Sequence, residues 1–216
     1  MVVKQSKPTV ISVAGPIASG KTTLAKLLTK RFSLKALLEP APEKHNPFFS
    51  LYYSNPHNYT FHNEINFMIQ GAELCRTLNK DRNPKRIYVQ DHLPFANVAV
   101  YAYVQKEFGY LTRSEYELLK RVMGALETSY IEPNLIIYRH VSDDEMMARI
   151  RARARPGEAS SDYKFFSSIK DRYDTWIKKW KLSPLLEVDE TADVKSDTNA
   201  LHIIGKGIFS LLKIND

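Results

Sequence analysis

Apolar residues recur along the chain in two alternating periods. Thr9–Ala14 is a near-continuous apolar run of buried-strand length, and Leu24, Leu27, Leu28 and Phe32 follow at helical spacing. The alternation continues with Leu34–Leu38, a short run ending at Glu39-Pro40, and with a long helical pattern from His57 to Leu78. Arg86–Gln90 reads as a strand ending at Asp91, and Pro94–Phe108 as one helix. Thr112 and Glu115 have capping-box spacing before a helix with a single apolar stripe, Tyr116, Leu119, Met123, Leu126 and Tyr130, read as core or subunit contact. Leu135–Tyr138 is a further strand, and Ser142 with Glu145 forms a second capping box. Tyr163–Trp180 reads as a helix, Leu185–Val188 as the last strand and Thr198–Leu212 as the last helix. Apolar strands alternating with helices predict an α/β fold with a parallel sheet covered on both faces. Ligands of such sheets gather at the carboxyl ends of the strands. Three candidate elements fall there: the loop after Ala14, Glu39 and Asp91.

Composition narrows the classes. With 216 residues, 44% of them hydrophobic, the chain can bury the core of one domain, residues 1–216. No apolar run reaches the ~20 residues of a membrane span, and the polar stretch Met1–Pro8 lacks the apolar segment of a secretory signal. Cys75 is the one cysteine, which excludes an intramolecular disulfide and a thiolate metal cluster. The expected compartment is therefore the cytoplasm, with no membrane partner. The net charge of +7 serves solubility or attraction to anions. Zinc-finger spacing, a basic zipper and an aromatic ribonucleoprotein motif are all missing from the sequence, so nucleic acid is not an expected partner.

The sharpest motif is Gly15-Pro16-Ile17-Ala18-Ser19-Gly20-Lys21-Thr22, which fits G-x-x-x-x-G-K-[ST] between a predicted strand and a predicted helix. Glycines let backbone N–H groups turn inward around phosphate oxygens, and the helix N-terminus adds a favourable dipole. Gly15, Ala18, Ser19, Gly20, Lys21, Thr22 and Thr23 are thus candidates for holding a nucleoside triphosphate, expected to be ATP. In such loops the lysine reaches the β- and γ-phosphates, and the Thr22 hydroxyl is a ligand for Mg²⁺. Hydrolases, motors and kinases share this loop, so it implies nucleotide binding and leaves the reaction open.

Other residues bear on the reaction. Glu39 precedes Pro40 and Pro42, which stiffen the turn. It is either a base for an attacking hydroxyl or an ordinary surface glutamate. Asp91 is either a second Mg²⁺ ligand or a helix cap. Arg149, Arg151, Arg153 and Arg155 stand just before Pro156-Gly157 with no acid among them. On a helix Arg149 and Arg153 share one face, and Arg151 and Arg155 another. A solvated charge run is one reading, and a mobile lid that clamps phosphates and excludes water is the other.

Together these residues resemble the deoxyribonucleoside kinase family, the deoxycytidine, deoxyguanosine and deoxyadenosine kinases and the insect multisubstrate enzyme. The resemblance runs from the phosphate loop to about Trp180. Glu39-Pro40 is similar to the family's Glu-Pro, whose glutamate is the base for the 5′-hydroxyl. Leu51-Tyr52-Tyr53 followed by Pro56 resembles the segment whose tyrosine, here Tyr53, contacts the sugar 3′-hydroxyl and crowds out a 2′-hydroxyl. Arg149-x-x-x-Arg153-x-Arg155-x-x-Glu158 is similar to the family lid, where the arginines bind phosphates and the glutamate binds the 3′-hydroxyl. The resemblance implies a P-loop kinase fold: a five-stranded parallel sheet flanked by helices, with an arginine-rich lid at about 149–161. It also implies a homodimer built through a helix bundle. Catalysis would then rest on Glu39, Lys21, Arg149, Arg153 and Arg155.

The departures concentrate at the base. The family's Asp/Glu-Arg-Ser becomes Asp91-His92-Leu93, and its Phe-Gln pair becomes Asn63-Glu64. Positions that are often Arg and Asp in relatives are Gly71 and Asn97. The expected substrate contacts are therefore Tyr53, Glu64, His92, Asn97 and Glu158. An ionised Glu64 only accepts hydrogen bonds, and the adjacent N1–H and N2–H₂ of guanine match two carboxylate oxygens. That points to guanine or another amino-bearing base, unless Glu64 pairs with a basic neighbour. Two other functions stay open: a nucleoside monophosphate or other small-molecule kinase, for which Arg76, Arg82 and Lys85 are spare cations, and a nucleotide-binding regulatory protein with little catalysis.

Overall fold

The computed structural model describes residues 7–126, 129–158, 162–192, 194 and 196–213. Residues 1–6 and the far end of the expected lid, 159–161, lie outside the described residues. Five strands, β1 (Thr9–Ala14), β2 (Lys35–Leu37), β3 (Ile87–Gln90), β4 (Leu135–Arg139) and β5 (Leu185–Val188), form one all-parallel sheet in the order β2-β3-β1-β4-β5. Alternate residues of the central strands feed two cores. Ile11, Val13, Leu135 and Ile137 face α1 (Lys21–Arg31) and α9 (Thr198–Leu212), meeting Leu24, Leu28, Ile204 and Ile208. Ala14, Ile136 and Tyr138 face the other way, against α7 (Asp143–Arg153) and α8 (Tyr163–Ile177) through Met146, Ile150, Phe166, Ile169 and Tyr173. Burial on both faces is the reason these strands read as unbroken apolar runs.

The helical pattern is richer than the periodicity predicts. Between β2 and β3 the chain forms two short helices, α2 (Pro42–His45) and α3 (Phe49–Ser54), before the long α4 (Pro56–Lys80). Asn55 caps α4 by accepting from the Asn58 N–H, and Pro56 sits in its first turn, where no N–H is needed. The buried face of α4 changes character along its length. Thr60, Asn63 and Glu64 are polar, and Met68, Ala72, Cys75 and Leu78 are apolar. The helix expected over Pro94–Phe108 is instead a π-helical turn, Asn97–Ala102, running into a short α5 (Tyr103–Glu107).

The stripe of α6 (Arg113–Leu126) belongs to the core: Leu119 is fully buried against Met68, Val98 and Leu111, with Tyr116, Met123 and Leu126 packed beside it. Thr112 and Glu115 do form a reciprocal capping box. At α7 the box is half-formed. The Ser142 Oγ accepts from the Glu145 N–H, but the Ser142 N–H donates to Glu190 at 2.5 Å, and Glu145 turns to Arg149. No helix among the described residues is long and apolar enough to cross a membrane.

Candidate active site

The carboxyl ends of β1, β2 and β3 open onto one cavity of about 700 Å³. The phosphate loop forms its floor. Gly15 has φ +147°, and a Cβ there would stand 2.6 Å from the Arg139 carbonyl, so the loop can turn this tightly only with glycine. Beneath the loop Ser19 is fully buried, while Ala18, Gly20, Lys21, Thr22 and Thr23 line the cavity. Lys21 lies across the loop, its ammonium donating to the carbonyls of Gly15 at 2.9 Å and Pro16 at 2.8 Å. Burial lowers its pKa to about 8, with the Arg153 cation acting the same way and the Glu39 and Asp91 carboxylates opposing.

Asp91 ties three elements together. Its Oδ2 accepts from the Thr22 hydroxyl at 2.5 Å, and its Oδ1 accepts from the Glu39 backbone N–H at 2.8 Å. Thr22 opens α1, and Glu39 follows β2, which pairs with β3. The bond therefore fixes Glu39 relative to the loop. Glu39 and Lys21 line the same cavity. Burial first, then repulsion from Asp91, pushes the Glu39 carboxyl up to about 8, against the pull of Lys21 and Arg155. A carboxylate raised in this way is a stronger base than a free one.

The arginine run splits. Arg149 pairs with Glu145 at 2.6 Å and donates to the Ala18 carbonyl of the phosphate loop at 3.2 Å. Arg153 grips both oxygens of Glu158. Helix α7 stops at Arg153, because Ala154 takes the left-handed conformation (φ 47°). Arg155 thus leaves the helix and pairs with Glu43 at 3.2 Å, so the face expected to join it to the solvent-exposed Arg151 does not exist. Glu158 is 2% exposed and accepts from the Tyr53 hydroxyl at 3.3 Å. The close approach depends on Gly157, where a Cβ would sit 2.5 Å from that of Tyr53. Among the described residues, the lysines and arginines lining the cavity are Lys21, Lys26, Arg149, Arg153 and Arg155. Arg76, Arg82 and Lys85 do not line it.

A family model described as deoxynucleoside kinase matches residues 11–208. The chain belongs to the deoxynucleoside kinase family. Its reaction is thus phosphoryl transfer from a nucleotide donor to a hydroxyl of a nucleoside. Curated relatives include a deoxyadenosine/deoxycytidine kinase of Bacillus subtilis, 26% identical over 97% of this chain and 95% of that one. A deoxyguanosine kinase of Lactobacillus acidophilus is 30% identical over 84% and 80%. The solved structure of an M. mycoides deoxyadenosine kinase, with products dCMP and dCDP bound, has a TM-score of 0.80 over 94% of this chain and all of that one. Its 18% identity makes this a likeness of fold.

In this deoxynucleoside kinase three of the residues that depart from the family pattern, Glu64, His92 and Asn97, line the same cavity. His92 Nδ1 lies 3.0 Å from Glu39 Oε1, and burial pushes the imidazole down to about 4. His92 Nε2 is buried with no hydrogen-bond partner among the described residues, beside Gly71, where a Cβ would come within 3.1 Å of it. The two departures are therefore linked, because the missing side chain at 71 makes the space the imidazole fills. Asn97 is 5% exposed and lines the cavity. Glu64 is buried and raised to about 7, mainly by burial, with hydrogen bonds from Gln105 and Asn63 holding it down. Both donors serve Oε1, so the expected match of two free carboxylate oxygens to guanine is not what the fold leaves. Gln105, Tyr101 and Tyr52 also line the cavity and were missed by pattern reading. Their one signal is a polar or aromatic residue inside an apolar helical run.

Proposed function

We propose that the chain carries the γ-phosphoryl group of ATP to the 5′-hydroxyl of a deoxyribonucleoside, favouring guanine or another amino-bearing base. One observation supports this reading above the rest: Lys21, Glu39 and the Tyr53–Glu158 pair line the same cavity. Glu39 takes the 5′-hydroxyl proton as the oxygen attacks in line, and Lys21 holds the donor phosphates. Arg149, Arg153 and Arg155 form the lid that excludes water and balances charge in the transition state. Tyr53 and Glu158 hold the sugar, His92 orients Glu39, and Glu64 with Asn97 meets the base. Thr22 and Asp91 would hold Mg²⁺. Two protein oxygens suit an ion that keeps waters and phosphate oxygens as its other ligands. The chemistry such an ion would supply is charge neutralisation on the donor phosphates.

The cations of the cavity all belong to the phosphate loop, helix α1 and the arginine run. Among the described residues the lining holds no further lysine or arginine for an acceptor's own phosphate, which favours a nucleoside over a monophosphate. The same reading has the chain acting in the cytoplasm as a homodimer. A second copy would cover Ile69 of α4 and Leu118 of α6, 46% and 42% exposed.

Glu64 gives this reading a signature in pH. Its raised pKa of about 7 leaves it protonated below neutrality and ionised above. The ionised form only accepts, suiting the N1–H of guanine, and the protonated form adds a donor, suiting adenine N1. The ratio of kcat/KM for deoxyguanosine to that for deoxyadenosine rises up to about 100-fold from pH 6 to pH 8. Titration of Glu39 cancels in that ratio. Initial rates on the four deoxyribonucleosides test the substrate, and a clear preference for thymidine contradicts it.

A further inference from the structure

Four buried polar side chains, none more than 5% exposed, run in series beneath the base end of the cavity. Asn46 Nδ2 donates to Asn63 Oδ1 at 2.8 Å, and Asn63 Nδ2 reaches Glu64 Oε1 at 3.5 Å. Gln105 Nε2 donates to the same Oε1 at 2.8 Å and lies 3.4 Å from the Tyr52 hydroxyl. Polar groups are kept inside a protein where each finds a partner. Here three residues that line the cavity break that pattern: Gln105 Oε1, Asn97 Nδ2 and His92 Nε2 are buried with no hydrogen bond from the described residues. Glu64 Oε2 also accepts no hydrogen bond from the described residues, and Glu64 lines the cavity.

The π-helical turn explains how Asn97 and Gln105 come together. In an unbroken α-helix, residues eight apart differ by roughly 80° around the axis. A π turn takes up one extra residue, which brings the pair back to within about 20° of a common face. Both side chains thereby reach the cavity wall from one short segment.

We propose that Gln105 is a specificity-determining residue of this site: its Oε1 accepts from the 2-amino group, and Glu64 Oε2 from the N1–H, of a 2-amino-6-oxopurine, whose O6 accepts from Asn97 Nδ2. The proposal rests on the deoxynucleoside kinase reading above and names what selects the base. Glu64 has one oxygen spent on Gln105 and Asn63, so by itself it offers the base a single acceptor. Every common base except thymine carries an exocyclic amine that one acceptor can satisfy. Two acceptors beside one donor match only a base with two adjacent donors and a neighbouring carbonyl. Adenine and cytosine would each set a ring-nitrogen acceptor against an acceptor of the site, and leaving buried polar groups mismatched is the strongest means of rejection a site has.

The test is a cycle that deletes one group from each side. The 2-amino group is removed by using deoxyinosine in place of deoxyguanosine, and the Gln105 amide by Gln105→Met. Wild-type protein is expected to favour deoxyguanosine over deoxyinosine by about 30-fold in kcat/KM, and Gln105→Met by less than about threefold, the loss of one charge-linked hydrogen-bond pair. KM for ATP reads the integrity of the donor site. An equal loss on both nucleosides in Gln105→Met overturns the proposal and leaves the kinase reading standing. If the variant does not fold, the wild-type ratio decides, and a ratio under threefold overturns the proposal. Absence of transfer to every deoxyribonucleoside overturns the underlying reading instead.

Discussion

Glu39→Gln lowers kcat by about 10³-fold while ATP binds with its wild-type affinity. General-base catalysis contributes on the order of 10²–10⁴-fold, and glutamine keeps the shape of the side chain while removing its capacity to take a proton. The backbone N–H that bonds Asp91 is untouched, so the turn and the Thr22–Asp91 contact persist. The amide can still meet His92 across the 3.0 Å gap. The change thus isolates proton acceptance from architecture. Single-turnover transfer together with a nucleotide-binding titration reads the two quantities separately, and an unchanged transfer rate removes Glu39 from its role.

Arg153→Met produces the second large effect, a fall of about 10²–10³-fold in kcat with a rise in the nucleoside KM. A transition-state arginine is worth on the order of 10³–10⁵-fold. Part of the charge of Arg153 is already balanced by Glu158, which lowers the expectation. The same guanidinium grips both oxygens of Glu158, and Glu158 in turn meets Tyr53, so its loss frees the sugar-holding pair. Arg153→Lys restores little, because a point charge cannot reproduce a planar two-oxygen contact. Steady-state kinetics on both substrates checks this. A loss of thermal stability with kcat intact assigns Arg153 a purely structural role.

The five strands and the long helices were legible in the sequence because burial on both sheet faces gives unbroken apolar runs and one-sided helices give stripes. Helices α2 and α3 were not, since four and six residues are too few for a period to declare itself. The π turn was hidden for a related reason: Val98, Val100, Ala102 and Val104 are apolar whichever helical hydrogen bond the backbone makes. The residues proposed to handle phosphate stand out in the sequence because backbone cradling needs glycines at fixed offsets. Of the expected and proposed substrate contacts, Glu64, His92 and Asn97 stood out as departures from the family pattern, and Gln105 did not. Gln105 and Tyr101 take their meaning from what they face, and spacing encodes that only through a helix geometry the sequence does not print. Ala154 carries the same lesson, for nothing about an alanine foretold that α7 would end there and send Arg155 toward Glu43.

The central claim is transfer to a nucleoside hydroxyl across the cavity between Lys21 and Glu39. It is tested most directly by identifying the product formed from γ-labelled ATP, Mg²⁺ and deoxyguanosine. The account predicts label on deoxyguanosine 5′-monophosphate, one molecule for each ADP released. Label appearing only as inorganic phosphate, or only on an acceptor that already carries a phosphate, contradicts it.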